Sequence, residues 1–142
     1  MLTQIYTYFA IETIYLWLNF GVIPIWLVLI FFPNSKLNKI FLTSIFLPLI
    51  FGLIYVYIFY QLMLLNEDIL DYLSIYSGLD ELADLFTNEL FLLIFWVHFL
   101  AINLFLGSWV SRDGVKYNIP RGLVFVPLIL VYFTGPLGIV LY

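Results

Sequence analysis

Cysteine is absent from the 142 residues, which excludes disulfides, thiolate metal sites and cysteine nucleophiles. Histidine occurs once, as His98, too few imidazoles for a bis-histidine haem or a di-iron cluster, so no resident metal or cofactor is expected. Only five residues are basic, and the net charge of −4 with a pI near 4.6 argues against nucleic acid, whose phosphates need clustered Lys and Arg. Charge of either sign is scarce at 10% of the chain, against roughly 25% in an average soluble domain. What fills the sequence instead is apolar, 65% hydrophobic and 21% aromatic. A short chain cannot wrap a core large enough to hide so much apolar side chain, so lipid is expected to supply the missing cover. The expectation is one all-α integral membrane domain over 1–142, with any activity inside its spans or short loops.

Four charge-free stretches are long enough to span, given about 1.5 Å of rise per residue and a hydrocarbon core of roughly 30 Å. They lie between Glu12 and Lys36, between Lys39 and Glu67, between Glu89 and Arg112, and from Gly122 to Tyr142. Backbone groups in lipid must satisfy one another, so four transmembrane helices are expected, near 10–32, 41–65, 90–110 and 123–142. The first is too long for an ordinary signal peptide and has no basic residue before it, so it reads as a retained anchor. Lys36 and Lys39 follow the first span, and Arg112, Lys116 and Arg121 follow the third. Glu67, Asp68, Asp71, Asp80, Glu81, Asp84 and Glu89 follow the second, with no basic residue among them. The positive-inside rule therefore places the basic loops on the cytoplasmic or stromal side of a plasma, thylakoid or other plastid membrane. Both termini and the acidic loop are expected opposite. Within that loop Leu79, Leu82, Ala83 and Phe86 recur at helical spacing, which predicts a short amphipathic helix between spans two and three.

Polar residues inside spans are costly and are candidates for function. Glu12, Asn19 and Trp26 are seven apart and fall near one face of the first helix, with Tyr15 between them. Pro24 frees a carbonyl near Phe20. In the third span Trp96, Asn103 and Gly107 share a face, and Gly107 permits close approach of a helix or a flat ligand. His98 lies about 140° from Asn103 on an ideal helix, so the two point to separate contacts. A lone intramembrane histidine has three roles open to it: structural hydrogen bonding, proton carriage, or axial ligation of a chlorophyll magnesium. Pro127, Gly135, Pro136 and Gly138 should bend or break the last helix. Aromatic residues near the ends, among them Tyr6, Tyr8, Phe9, Tyr57, Phe59 and Tyr60, read as an interfacial belt. Those within spans, such as Trp17, Trp26, Phe95, Trp96 and Phe99, also suit a slot for a polyene.

Several stretches together resemble a known family, the abscisic-acid-deficient-four-like membrane proteins of neoxanthin synthesis. They are Asn19-Phe-Gly-Val-Ile-Pro24 with Phe32-Pro33 and Lys36; Leu82-Ala-Asp-Leu-Phe86 with Glu89; Trp96-Val-His-Phe-Leu-Ala-Ile-Asn-Leu-Phe-Leu-Gly107 with Trp109 and Asp113-Gly114; and Gly135-Pro-Leu-Gly138. The chain departs from the family at Asn103, where an acidic residue is usual, and at Ser108, where Arg is frequent. The resemblance implies carotenoid chemistry: isomerisation of violaxanthin to neoxanthin, in which an epoxide opens to an allene and a tertiary alcohol. An acid must protonate the epoxide oxygen and a base must take a proton from the adjacent polyene carbon, in a dry slot. His98 is then the expected proton-transfer group and Asn103 its partner in the catalytic pair, although an amide exchanges no proton near neutral pH. Asn19, Trp26, Trp96, Gly107 and Trp109 are expected to bind the substrate, with Arg112 and Asp113 at the rim. Expected partners are a carotenoid or other isoprenoid, membrane lipids, and either a second copy or a membrane-complex partner. The alternative is a non-enzymatic subunit or scaffold of a pigment–protein complex, with chlorophyll on His98.

Overall fold

The computed structural model describes residues 10–42, 46–65, 73 and 75–142, and every regular element among them is helical. Tyr6, Tyr8, Phe9, Glu67, Asp68 and Asp71 lie outside the described residues. Helix α1 runs over Ile11–Phe31 and stays continuous through Pro24, which is exposed on its outer face. After it, Pro33 and Ser35 organise a turn. The Asn38 backbone N–H donates to Ser35 Oγ at 3.1 Å and its side-chain amide donates to the Pro33 carbonyl at 2.7 Å. A π-helical turn, Asn38–Leu42, precedes helix α2, Phe46–Leu65. The acidic loop carries the expected short helix, α3, over Leu79–Leu85. Only part of its apolar face is covered: Leu79 points outward, whereas Phe86 packs edge-on against Phe91 and Phe95.

Helix α4, Glu89–Lys116, has 28 residues and is the axis of the fold, packing against α1, α2 and helix α5, Arg121–Thr134. Asn88 caps its start, accepting from the N–H groups of Leu90 and Phe91 at 3.0 and 3.1 Å. Its end is set by Asn118, at φ 54°, and not by the charges that precede it. The Ile119 amide reaches back to the Gly114 carbonyl and the Asn118 amide to that of Val115, a Schellman closure that Pro120 then seals. Arg112 and Lys116 consequently sit on the last turns of α4, where the exposed carbonyls favour positive charge, and not in a loop as expected. Val22, Leu29, Ile58, Leu62, Val97, Leu104, Val110, Leu128 and Val131 form the core between these helices.

Two expectations are corrected here. Among the described residues two helices, α1 and α4, are long and apolar enough to cross a membrane, not four. Phe41 and Leu42, at the start of the expected second span, belong to the π-helical turn, residues 43–45 lie outside the described residues, and the described apolar stretch of α2, Leu49–Leu64, is shorter. The expected fourth span is two helices. Gly135, at φ 64°, ends α5, and helix α6, Pro136–Leu141, folds back along it. Gly138 lies against the backbone of Val131 and Pro127, so the reversal is a close-packed hairpin. The C-terminal Tyr142 therefore returns to Asp113 near the basic end of α4, where the expectation had put it at the acidic end. Glycine adopts the positive φ that the reversal uses without a steric penalty, and Pro136 suits the first position of the helix that follows.

The charge pattern maps onto the two ends of the bundle. Asn34, Ser111 and Arg121 meet at one end, while Glu12, Gln61 and Glu89 meet at the other. Between them the outward faces are apolar, with Trp17, Phe20, Leu53, Val56, Phe105, Leu123 and Phe133 all exposed.

Candidate functional site

The residues expected to form a slot between the first and third spans divide into separate places. Asn19 and Trp96 do meet: the indole Nε1–H donates to Asn19 Oδ1 at 3.2 Å, and the Asn19 amide donates to the Tyr15 carbonyl at 2.7 Å. Trp96 also lies 6.1 Å from Tyr15 and stacks on Phe99 at 5.3 Å, so protein rings already pack against the indole here. About two turns further along α1 and three along α4, Trp26 is buried against Gly107 and meets Tyr132 edge-on at 5.3 Å. Gly107 thus admits a neighbouring helix's tryptophan, which occupies the space a flat ligand would need.

Asn103 is 3% exposed and packs beside Gly135 at the helix reversal, with its Nδ2 left without an acceptor. Leaving a buried donor unpaired costs about 1–3 kcal/mol, whereas an apolar side chain of similar shape removes the debt. Asn103→Leu is therefore expected to leave thermal stability unchanged or raise it. A clear drop in Tm would show that the amide has a partner in solution.

His98 is not in this region. Its ring is exposed, 6.5 Å from Tyr55 of α2, on the opposite side of α4 from Asn103. Trp109, half exposed, meets Tyr142 edge-on at 5.7 Å, and the Tyr142 hydroxyl donates to Asp113 at 2.9 Å. Tyr142 follows α6 and lies outside the long helices. Burial first, and then the Asp113 carboxylate, push its phenol up to about 12, so it stays a neutral donor that closes the C-terminal hairpin. Arg112 is exposed. Ser111, which sequence reasoning passed over, links three segments: it donates to the Leu29 carbonyl at 3.2 Å and accepts from the Asn38 amide at 3.3 Å.

The open space lies elsewhere. A groove of about 620 Å³ runs between α1 and α2, walled by Trp17, Leu18, Gly21, Ile25, Phe51, Ile54 and Tyr57. That volume falls within the roughly 300–1,000 Å³ of small-molecule sites. Ile14 and Tyr57 also belong to a neighbouring pocket of about 420 Å³, whose other walls include Glu12, Gln61 and Glu89. Gln61 Nε2 donates to the Tyr57 hydroxyl at 3.2 Å, at the junction of the two. The result is an apolar channel with one polar end. Gly21 opens it, because a Cβ built there meets nothing within 4 Å. The sequence signals for this site were a glycine on an apolar helix and a lone Gln in an apolar run, both weaker than a histidine. No group of three or more potential metal ligands occurs among the described residues.

No solved structure matches the chain. Among known proteins it is 25% identical over 121 residues to the protein ABA DEFICIENT 4, chloroplastic, of Arabidopsis thaliana, an alignment covering 78% of this chain. The chain spans about half of that relative, 54% of its length. The family model described as ABA DEFICIENT 4-like matches residues 13–142, which takes in α1 from Thr13 onward, α2 to α6 and every wall residue of the groove between α1 and α2, but not Glu12. By that match the chain belongs to the ABA4-like family.

Proposed function

We propose that the protein is an integral membrane protein related to neoxanthin synthesis, and that it binds a carotenoid or similar oxygenated isoprenoid in the groove between α1 and α2. The observation that carries this reading is the shape and chemistry of that groove, an apolar channel with flat Trp17 and Tyr57 walls that opens onto Glu12, Gln61 and Glu89. A long hydrocarbon body suits the apolar part, and hydroxyl or epoxide oxygens on an end ring suit the polar part. Lipid covers the outward apolar faces, with α1 and α4 as the crossing helices. Family membership supports the carotenoid assignment.

Binding and isomerisation separate in this reading. Tyr55, which contacts His98, is two residues from both Leu53 and Tyr57 of the groove, about 200° round the helix. His98 therefore serves proton transfer only for a substrate that also reaches the outer face between α2 and α4. Its exposure favours a second reading, a non-enzymatic subunit of a pigment–protein complex with chlorophyll on the imidazole. The protein is to be purified in mild detergent from a xanthophyll-producing host and its pigment measured by absorbance per mole of protein. Wild type is expected to retain carotenoid, Gly21→Phe to retain at least tenfold less by filling the groove, and His98→Ala to retain as much as wild type. A colourless wild-type preparation overturns the assignment. Unchanged conversion of supplied violaxanthin by His98→Ala removes His98 from the mechanism. Chlorophyll at fixed stoichiometry, lost in that variant, favours the second reading.

A further inference from the structure

A further cavity lies at the end that gathers the basic residues. It measures about 330 Å³ and forms where the turn after α1, the last turns of α4 and the start of α5 meet. Asn34, Asn118 and Arg121 supply its polar wall, and Ile30, Val124 and Phe125 its apolar one. The apolar wall continues outward onto the exposed ring pair of Phe31 and Phe125, 6.1 Å apart. Arg121 has no acidic partner among the described residues, and the acid nearest in sequence, Asp113, is engaged by Tyr142. Lys36, Lys39, Arg112 and Lys116 belong to the same end, so this region is positive on a chain whose net charge is −4. Helix α5 begins beside the cavity without a side-chain cap, and Pro120 and Arg121 at its start line the wall.

We propose that this cavity binds the phosphate headgroup of an anionic lipid, with Arg121 pairing with the phosphate and Phe125 with Ile30 holding the start of an acyl chain. A guanidinium presents two parallel donors that match phosphate oxygens, and basic pockets between membrane helices are recurrent anionic-lipid sites. A free phosphate would use the polar wall alone. The continuous apolar wall is what selects an amphiphile. The site shares no wall residue with the groove between α1 and α2, so it stands or falls separately from the isoprenoid assignment.

The test uses delipidated full-length protein in an uncharged detergent, titrated with short-chain phosphatidic acid, phosphatidylcholine of the same chain length, and inorganic phosphate. Binding is read by native mass spectrometry and by the rise in Tm. Phosphatidic acid is expected to bind at least tenfold tighter than either of the others. Arg121→Gln is expected to weaken it about tenfold and leave phosphatidylcholine unaffected. Because Arg121 is exposed, the variant's Tm without ligand should equal that of wild type. Phe125→Ala is expected to weaken phosphatidic acid but not inorganic phosphate. Equal binding of the two lipids, or an affinity indifferent to Arg121→Gln, overturns the proposal. Inorganic phosphate binding as tightly as phosphatidic acid overturns the lipid assignment and makes the cavity a free-phosphate site.

Discussion

Trp26→Ala is expected to destabilise the protein by about 3–5 kcal/mol, the range for deleting a buried aromatic side chain. Trp26 is 4% exposed and joins three helices: it comes from α1, lies over Gly107 of α4 and meets Tyr132 of α5 edge-on. Its removal leaves a void that neither backbone can close, because α4 is held on both sides by other contacts. Gly107→Leu attacks the same contact from the other side. Any Cβ at position 107 collides with the indole, which is rigid and enclosed, so overpacking of about 1–3 kcal/mol or more is expected. The two changes are not additive, since the leucine of Gly107→Leu fills space that Trp26→Ala vacates. Denaturant unfolding followed by circular dichroism checks all three variants. A double variant that loses the full sum of the single losses would show that the two residues do not share one contact in solution.

Gly138→Val is expected to release the C-terminal hairpin. A Cβ at Gly138 runs into the Val131 amide and the Pro127 carbonyl, and backbone atoms cannot move aside as a side-chain tip would. Undocking α6 also removes the Tyr142 hydroxyl from Asp113 and its ring from Trp109, while α1 and α2 keep their packing on α4. Hydrogen exchange should therefore rise over residues 136–142 alone, from protected in wild type to nearly unprotected in the variant. Protection that is unchanged would mean that α6 does not fold back on α5. A rise spread over the whole chain would mean that the hairpin and the bundle unfold as one unit.

These two contacts mark where sequence reading stopped. The pattern Trp96, Asn103, Gly107 was legible as one face of a helix, and Asn103 and Gly107 are indeed buried on it. That the face is closed by protein, through Trp26 and Gly135, was not legible, because the closing residues lie far away in sequence. A break at Gly135-Pro136 was likewise expected. Its sense was not: a kinked helix and a full reversal place the same dipeptide at the same position, and only the positive φ of Gly135 with Gly138 against Val131 selects the reversal. His98 drew attention because ionisable groups in apolar runs are rare. Gln61 and Gly21, which border the open space, carry no such signal.

Helicity, the surplus of apolar surface and the sorting of charge by sign are properties of composition and local spacing, so the sequence alone determined them. The spatial gathering of Asn34, Ser111 and Arg121 at one end, and of Glu12, Gln61 and Glu89 at the other, agrees with that sorting. The tertiary structure alone decided which apolar faces meet and which stay apart. With residues apolar all round each helix, periodicity marks no inward side. Shape complementarity chooses instead, bringing Trp26 onto Gly107, turning His98 outward and leaving the space between α1 and α2 open.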